Sequence, residues 1–226
     1  KDIYDDSSDT NGDFINVNAL DSWEGYLYAN FTTEKGNGTP QLALFHDWFE
    51  FGSNFNPTKV IITDALLDAN ISALTTSPFD QNKDSQSVLM VGLENGKVLK
   101  MEGNPSSQTW TDISSNSFTG SVSDIEFGKT ANDIFVTFHN YGVTNIFYSS
   151  DGGSTWNAKE GDLPNIPVRC ILQNPIVEKE VIIGTDLGVW YTKNFNESSP
   201  NWSQSYNGMS NVMVTDLDMR DDYKVF

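Results

Sequence analysis

Arginine is almost missing from this 226-residue chain: Arg169 and Arg220 are the only two, within 13 Lys and Arg set against 31 Asp and Glu. The resulting net charge of −18 repels phosphate backbones and anionic lipid headgroups, so nucleic acid is excluded as a partner class and membrane surfaces are disfavoured. Histidine is equally scarce, and His46 and His139 have no partner at metal-ligand spacing. The lone cysteine, Cys170, permits no internal disulfide. It lies in the apolar run Val168-Arg169-Cys170-Ile171-Leu172 and reads as a buried structural thiol. No apolar run reaches the roughly 18 residues of a membrane span, which argues against membrane insertion. No Gly-rich phosphate loop occurs. No cofactor and no metal are therefore expected.

What the chain has is turns and β-formers. Its 17 Gly and 8 Pro are spread along the length, and 12% aromatics argue against disorder. Trp110, Trp156 and Trp202 stand 46 residues apart. The run Val122–Phe127 returns at the same period as Val168–Leu172 and again as Val214–Met219. Two further series of β-branched and aromatic runs lie between these landmarks. One is Val88–Val91, Ile134–Phe138 and Val181–Ile183; the other is Val98–Met101, Ile146–Tyr148 and Val189–Tyr191. Each unit thus reads as four short strands, a to d, with the tryptophan opening strand d.

Four strands in about 40–45 residues, repeated, are the arithmetic of a propeller blade. The sequence predicts an all-β fold, a β-propeller of four-stranded antiparallel blades with a repeat of about 46 residues. The expected single domain spans 1–226, with the best-defined repeats at 71–226. An earlier blade is laid on Phe14–Leu20, Tyr26–Phe31, Leu42–Phe45 and Trp48–Phe51. Ile61–Leu74 carries Ala65, Leu66, Leu67 and Ala69 at helical spacing and is expected to be a short helical insertion. Four blades and the first two strands of a fifth, ending at Tyr223–Phe226, are an incomplete portion of a ring. The natural protein is therefore expected to be longer.

Ser149-Ser150-Asp151-Gly152-Gly153-Ser154-Thr155-Trp156, between strands c and d, carries Ser149, Asp151, Gly153, Thr155 and Trp156 in the pattern Ser-x-Asp-x-Gly-x-Thr-Trp. Asp accepts bonds from turn N–H groups, Gly supplies positive φ, the hydroxyls of Ser149 and Thr155 pair across the turn, and Trp156 anchors beneath it. This resembles the Asp-box, or bacterial neuraminidase repeat, propellers: sialidases, xyloglucanase-like hydrolases and sortilin-type receptors. Leu163–Val168 and Gly184–Trp190 make the chain similar to propellers on large secreted surface proteins of bacteria. In that family the box is a structural staple, with Trp110 and Trp202 marking its register. Asn104–Trp110 and Asn194–Trp202 keep the tryptophan and lose the Asp-Gly core.

The resemblance implies a secreted or cell-surface, bacterial, non-catalytic module within a larger polypeptide, recognising or displaying protein or glycan. The alternative is a fragment of a xyloglucanase-like glycoside hydrolase. Sialidase activity is disfavoured, because that family clamps a carboxylate with three arginines and two are present. Trp23, Tyr28 and Trp48 are candidates for sugar stacking or for blade core. Asp5–Asp13 resembles a calcium loop but fails the twelve-residue register, since Asn18 falls where a bidentate Glu belongs, and it reads as a decayed turn.

Overall fold

A computed structural model describes residues 20–23, 26–32, 40–46, 58–79, 87–104, 106–205 and 211–219, and these form sixteen strands. Four sheets of four antiparallel strands result, each with sequential strands as neighbours. No helix occurs among the described residues. The first sheet holds β1 (Leu20–Trp23), β2 (Tyr26–Thr32), β3 (Pro40–His46) and β4 (Thr58–Ile62). The second holds β5 (Ile71–Thr76), β6 (Ser87–Leu93), β7 (Val98–Asn104) and β8 (Ser107–Asp112). These two sheets lie in one compact unit, Lys1–Asp112.

A second unit, Ile113–Phe226, holds the other two sheets. The third comprises β9 (Val122–Phe127), β10 (Ile134–Phe138), β11 (Ile146–Ser149) and β12 (Asn157–Ala158). The fourth comprises β13 (Val168–Gln173), β14 (Val181–Thr185), β15 (Gly188–Thr192) and β16 (Ser203–Ser205). All five residues of β10 are buried, as the continuously apolar run Ile-Phe-Val-Thr-Phe requires of a strand covered on both faces.

Within each unit the first strand of one sheet packs beside the first strand of the next, β1 by β5 and β9 by β13. That is how propeller blades meet at their inner edge. A bulge in the pairing of first and second strands leaves Ser72, Ser123 and Arg169 as the extra residue in three sheets. Ser123 uses this position to donate its hydroxyl to Val168 O at 2.7 Å, tying β9 to β13. Arg169, half-buried, pairs with Asp186 at 2.6 Å.

Several expectations are corrected, one of them Val214–Met219, which forms no strand and carries only an isolated bridge residue at Met219. The fourth strand of the first sheet is Thr58–Ile62 and not Trp48–Phe51, which lies outside the described residues. Ile61–Leu74 is not a helical insertion: it contains the end of β4, a turn and the start of β5. Asp64 explains why. Its carboxylate accepts the Leu66 N–H at 2.9 Å and its carbonyl accepts the Leu67 N–H at 3.1 Å, a tight turn that competes with helix. Leu67 is still buried, reaching the first unit's core from the turn. The first strand begins at Leu20, where the expected segment ended.

Candidate functional site

The c–d turn of the third sheet is organised by one carboxylate. Asp151 Oδ1 accepts the Ser149 hydroxyl at 2.7 Å and the Thr155 N–H at 2.8 Å, and Oδ2 accepts the Thr155 hydroxyl at 2.7 Å. The two hydroxyls do not pair with one another, as the sequence had implied; each binds Asp151. Ser149 Oγ in turn accepts the Gly153 N–H at 2.8 Å. Bonds from Thr155 and Ser149 hold the exposed Asp151 carboxyl down at about 2. Gly152 and Gly153 have φ of 72° and 90°, which β-carbon-bearing residues rarely adopt.

Trp156 stands just outside β12 and is half-buried. Its indole N–H donates to Ile113 O at 2.7 Å, and its ring meets Phe118 edge-on at 5.1 Å. Trp202 is buried and donates its indole N–H to Lys159 O at 3.2 Å. Both indoles bridge back 43 residues. Trp110 differs in lying within β8, opposite Met101.

The fourth sheet's turn preserves bonding that its sequence hides. Thr192 Oγ1 donates to Asn194 Oδ1 at 2.8 Å, and the same oxygen accepts the Asn201 N–H at 3.0 Å. Asn194 therefore does with an amide oxygen what Asp151 does with a carboxylate. The Thr-x-Asn spacing matching Ser-x-Asp was the available signal. In the second sheet Asn104 Oδ1 accepts the N–H groups of Ser106 and Ser107 at 2.9 and 3.0 Å.

Asp124, Cys170 and Asp216 occupy one register, 46 residues apart. Asp124 accepts the Ile171 N–H at 2.9 Å, stitching β9 to β13. Burial pushes its carboxyl up to about 7, against the help of the Ile171 and Ile125 N–H groups, and the nearby Asp216 charge adds to the rise. Burial also raises the Cys170 thiol to about 12, so it is unreactive at neutral pH, as its apolar run implied. No group of three His, Cys, Asp or Glu among the described residues is placed to hold a metal ion. Asp5–Asp13 lies outside them.

Two open features of the second unit are a groove of about 230 Å³ on the fourth sheet and a wider depression of about 590 Å³ beside Tyr148, Lys159, Glu178 and Phe195; the first is the more apolar. The floor of the groove is a cross-strand row, Leu172 on β13 opposite Ile182 on β14 opposite Tyr191 on β15. Ile176 and Met219 border it, Ile176 being 66% exposed. The Lys193 ammonium sits 5.9 Å from the Tyr191 ring centroid. Glu180 is the one carboxylate in the lining, and it accepts from Asn174 Nδ2 at 2.9 Å. Such a surface can take an apolar or flat ring. Nothing in the sequence singled it out, because Leu172, Ile182 and Tyr191 read as core. Conversely Tyr28, a sugar-stacking candidate, is buried in the first unit's core, and Trp48 falls outside the described residues.

The four-stranded antiparallel sheets make the described residues all-β, an arrangement consistent with a propeller-like fold. Solved structures agree at the level of fold. A GH74 enzyme from Niastella koreensis matches with TM-score 0.51 and 17% identity over 82% of this chain and 29% of its own. The GH74 xyloglucanase from Xanthomonas campestris matches with TM-score 0.54 and 12% identity, covering 83% and 30%. The extracellular domain of a hybrid two-component system from B. thetaiotaomicron matches with TM-score 0.56 and 14% identity, covering 91% and 26%. The chain spans less than a third of the length of each. No family model and no curated protein sequence matches it.

Proposed function

We propose that this chain is a non-catalytic propeller module of a secreted or cell-surface bacterial protein, recognising or displaying a protein or glycan partner as part of a larger polypeptide. The observation that carries the reading is the lining of the groove. Glycoside hydrolysis takes two carboxylates flanking one bond, whereas the groove offers Glu180 alone beside an apolar row and Tyr191. The turn around Asp151 is on this reading an Asp-box staple, its carboxylate engaged by the hydroxyls of Ser149 and Thr155. The absence of a membrane-crossing helix among the described residues is compatible with a secreted or surface-displayed domain.

The alternative is a fragment of a xyloglucanase-like hydrolase, a reading supported by the fold-level likeness to two GH74 structures. A single assay separates the two. The purified chain is incubated with xyloglucan and with a fluorogenic sialoside while binding is followed on a glycan and protein array. The recognition reading expects saturable binding and no released sugar. Reducing ends released from xyloglucan would overturn it in favour of the hydrolase.

A further inference from the structure

Lys159 is a cation only 7% exposed, and no carboxylate pairs with it among the described residues. It follows β12 directly, and its backbone is fixed from two sides. Its N–H donates to Ile146 O at 2.9 Å, and its carbonyl accepts the Trp202 indole N–H at 3.2 Å. The ammonium donates to Phe195 O at 3.0 Å and Glu197 O at 2.7 Å, and sits 5.3 Å from the Phe195 ring centroid. Two carbonyl oxygens satisfy two of the three N–H donors of an ammonium and leave its charge uncancelled. Burial lowers the Lys159 pKa, against the opposing charge of Glu197. A buried charge is costly unless it is paired, so a counter-ion at Lys159 is strongly favoured.

Lys159 lines the depression of about 590 Å³ together with Tyr148, Ser150, Glu178, Lys179 and Asn196. That volume is typical of small-molecule sites. Phe195 positions both lysines: its carbonyl takes the Lys159 ammonium, and its N–H donates to Lys179 O at 3.0 Å. Two neighbouring carboxylates are already engaged. Glu178 pairs with Lys129, and Asp133 accepts the Tyr148 hydroxyl at 2.5 Å. The Lys179 ammonium, the Ser150 hydroxyl and the Asn196 amide have no side-chain partner among the described residues. The groups left to meet a ligand are therefore mainly donors. The net charge of −18 is spread over the whole chain, and charges beyond a Debye length of about 8 Å are largely screened at physiological ionic strength. The ammonium groups thus set the local preference.

We propose that this depression is an anion site, in which the third Lys159 N–H and the Lys179 ammonium bind a carboxylate or sulfate ester carried on a small ligand. A lysine is a compact point charge and suits either group, whereas two-pronged carboxylate recognition calls for arginine. The site shares only Gln173 with the apolar groove, so it goes beyond the recognition reading and stands independently of what the groove binds.

The test uses the full chain, ¹⁵N-labelled and titrated at constant ionic strength with glucuronate, glucose 6-sulfate and uncharged glucose. The expected result is saturable shifting of the Lys159, Lys179 and Phe195 amide signals by one or both charged sugars and by neither route with glucose. The tighter binder identifies carboxylate or sulfate as the group recognised. Lys179→Gln, at an exposed position, should weaken binding about fivefold, and Lys159→Gln more than about tenfold, each through loss of a charge-assisted hydrogen bond. Lys193→Gln, which removes the ammonium beside Tyr191 in the groove, should change nothing. If Lys159→Gln fails to fold, Lys179→Gln decides alone. No shifts with either charged sugar, equal shifts with glucose, or binding unaltered in Lys179→Gln would overturn the inference. So would an equal loss in Lys193→Gln, the mark of unspecific ion attraction. Shifts confined to Ile182 and Tyr191 would overturn it while leaving the recognition reading standing.

Discussion

Trp202→Ala deletes an indole that is 6% exposed, leaves Lys159 O without its donor, and strips the ring that meets Phe195 edge-on at 6.4 Å. Truncation of a buried aromatic to alanine costs about 3–5 kcal/mol through lost transfer energy and residual cavity. Trp202→Phe keeps most of the apolar surface and removes the N–H, so it should cost about 1–2 kcal/mol. Trp156 makes the same backward bond, but its ring is half-buried. Trp156→Ala should therefore cost about 2–3 kcal/mol, in proportion to the apolar area it hides. Urea unfolding followed by far-ultraviolet circular dichroism gives the comparison, because the substitutions themselves alter fluorescence. Midpoints are compared only where the slope is unchanged. Trp156→Ala costing as much as Trp202→Ala would refute the reasoning from burial. Trp202→Phe indistinguishable from the parent would refute the role of the indole bond.

Gly153→Ala should destabilise by about 1–2 kcal/mol in the same assay, since its φ is 90° and the new Cβ would lie 2.7 Å from Ile113 Cδ1. Asp151→Ala should lower the melting temperature and leave any ligand binding intact; loss of binding at unchanged stability would show a site in place of a staple. With its folded carboxyl at about 2 against 3.8 in the free state, Asp151 supplies stability present above pH 3.8 and lost as pH falls through 2. Asp124 has the opposite sign. Its folded carboxyl binds a proton up to about 7, so that contribution is complete below pH 3.8 and is lost as pH rises through 7. Asp124→Asn should flatten the melting temperature across that window, and an unchanged pH profile would refute the assignment. Chelator should leave the melting temperature within a degree or so of its untreated value; a fall of many degrees would reveal a bound metal.

The 46-residue period was legible because aromatic and β-branched runs recur at fixed intervals, and the strands of the second, third and fourth sheets fall on those runs. The first sheet was harder to read. Thr58–Ile62 is a good strand by composition, yet Ala65, Leu66, Leu67 and Ala69 beyond it carry helical spacing. Only the side-chain bond of Asp64 to the Leu66 N–H decides for a turn, and such a bond competes with helix without altering periodicity. The turn at Ser149–Trp156 was visible down to its residue types. Its bonding partners were not, because which oxygen takes which donor depends on loop geometry. The groove was invisible for a different reason. Leu172, Ile182 and Tyr191 alternate like core residues because they face a sheet surface; whether another sheet covers that surface is a property of the assembly and not of the strand.

The last strands of the third and fourth sheets are two and three residues long, Asn157–Ala158 and Ser203–Ser205. Each sits at its sheet's outer edge, where unpaired N–H and C=O groups could recruit a foreign chain. Cross-β growth needs segments of about six or seven residues with high β-propensity and low charge. Edges this short, made of Asn, Ala, Ser and Gln, offer no such template, and the charge of −18 keeps copies apart. The last strands of these two sheets can thus lie exposed at a rim, or be crowded on a surface at high local concentration, without seeding fibrils.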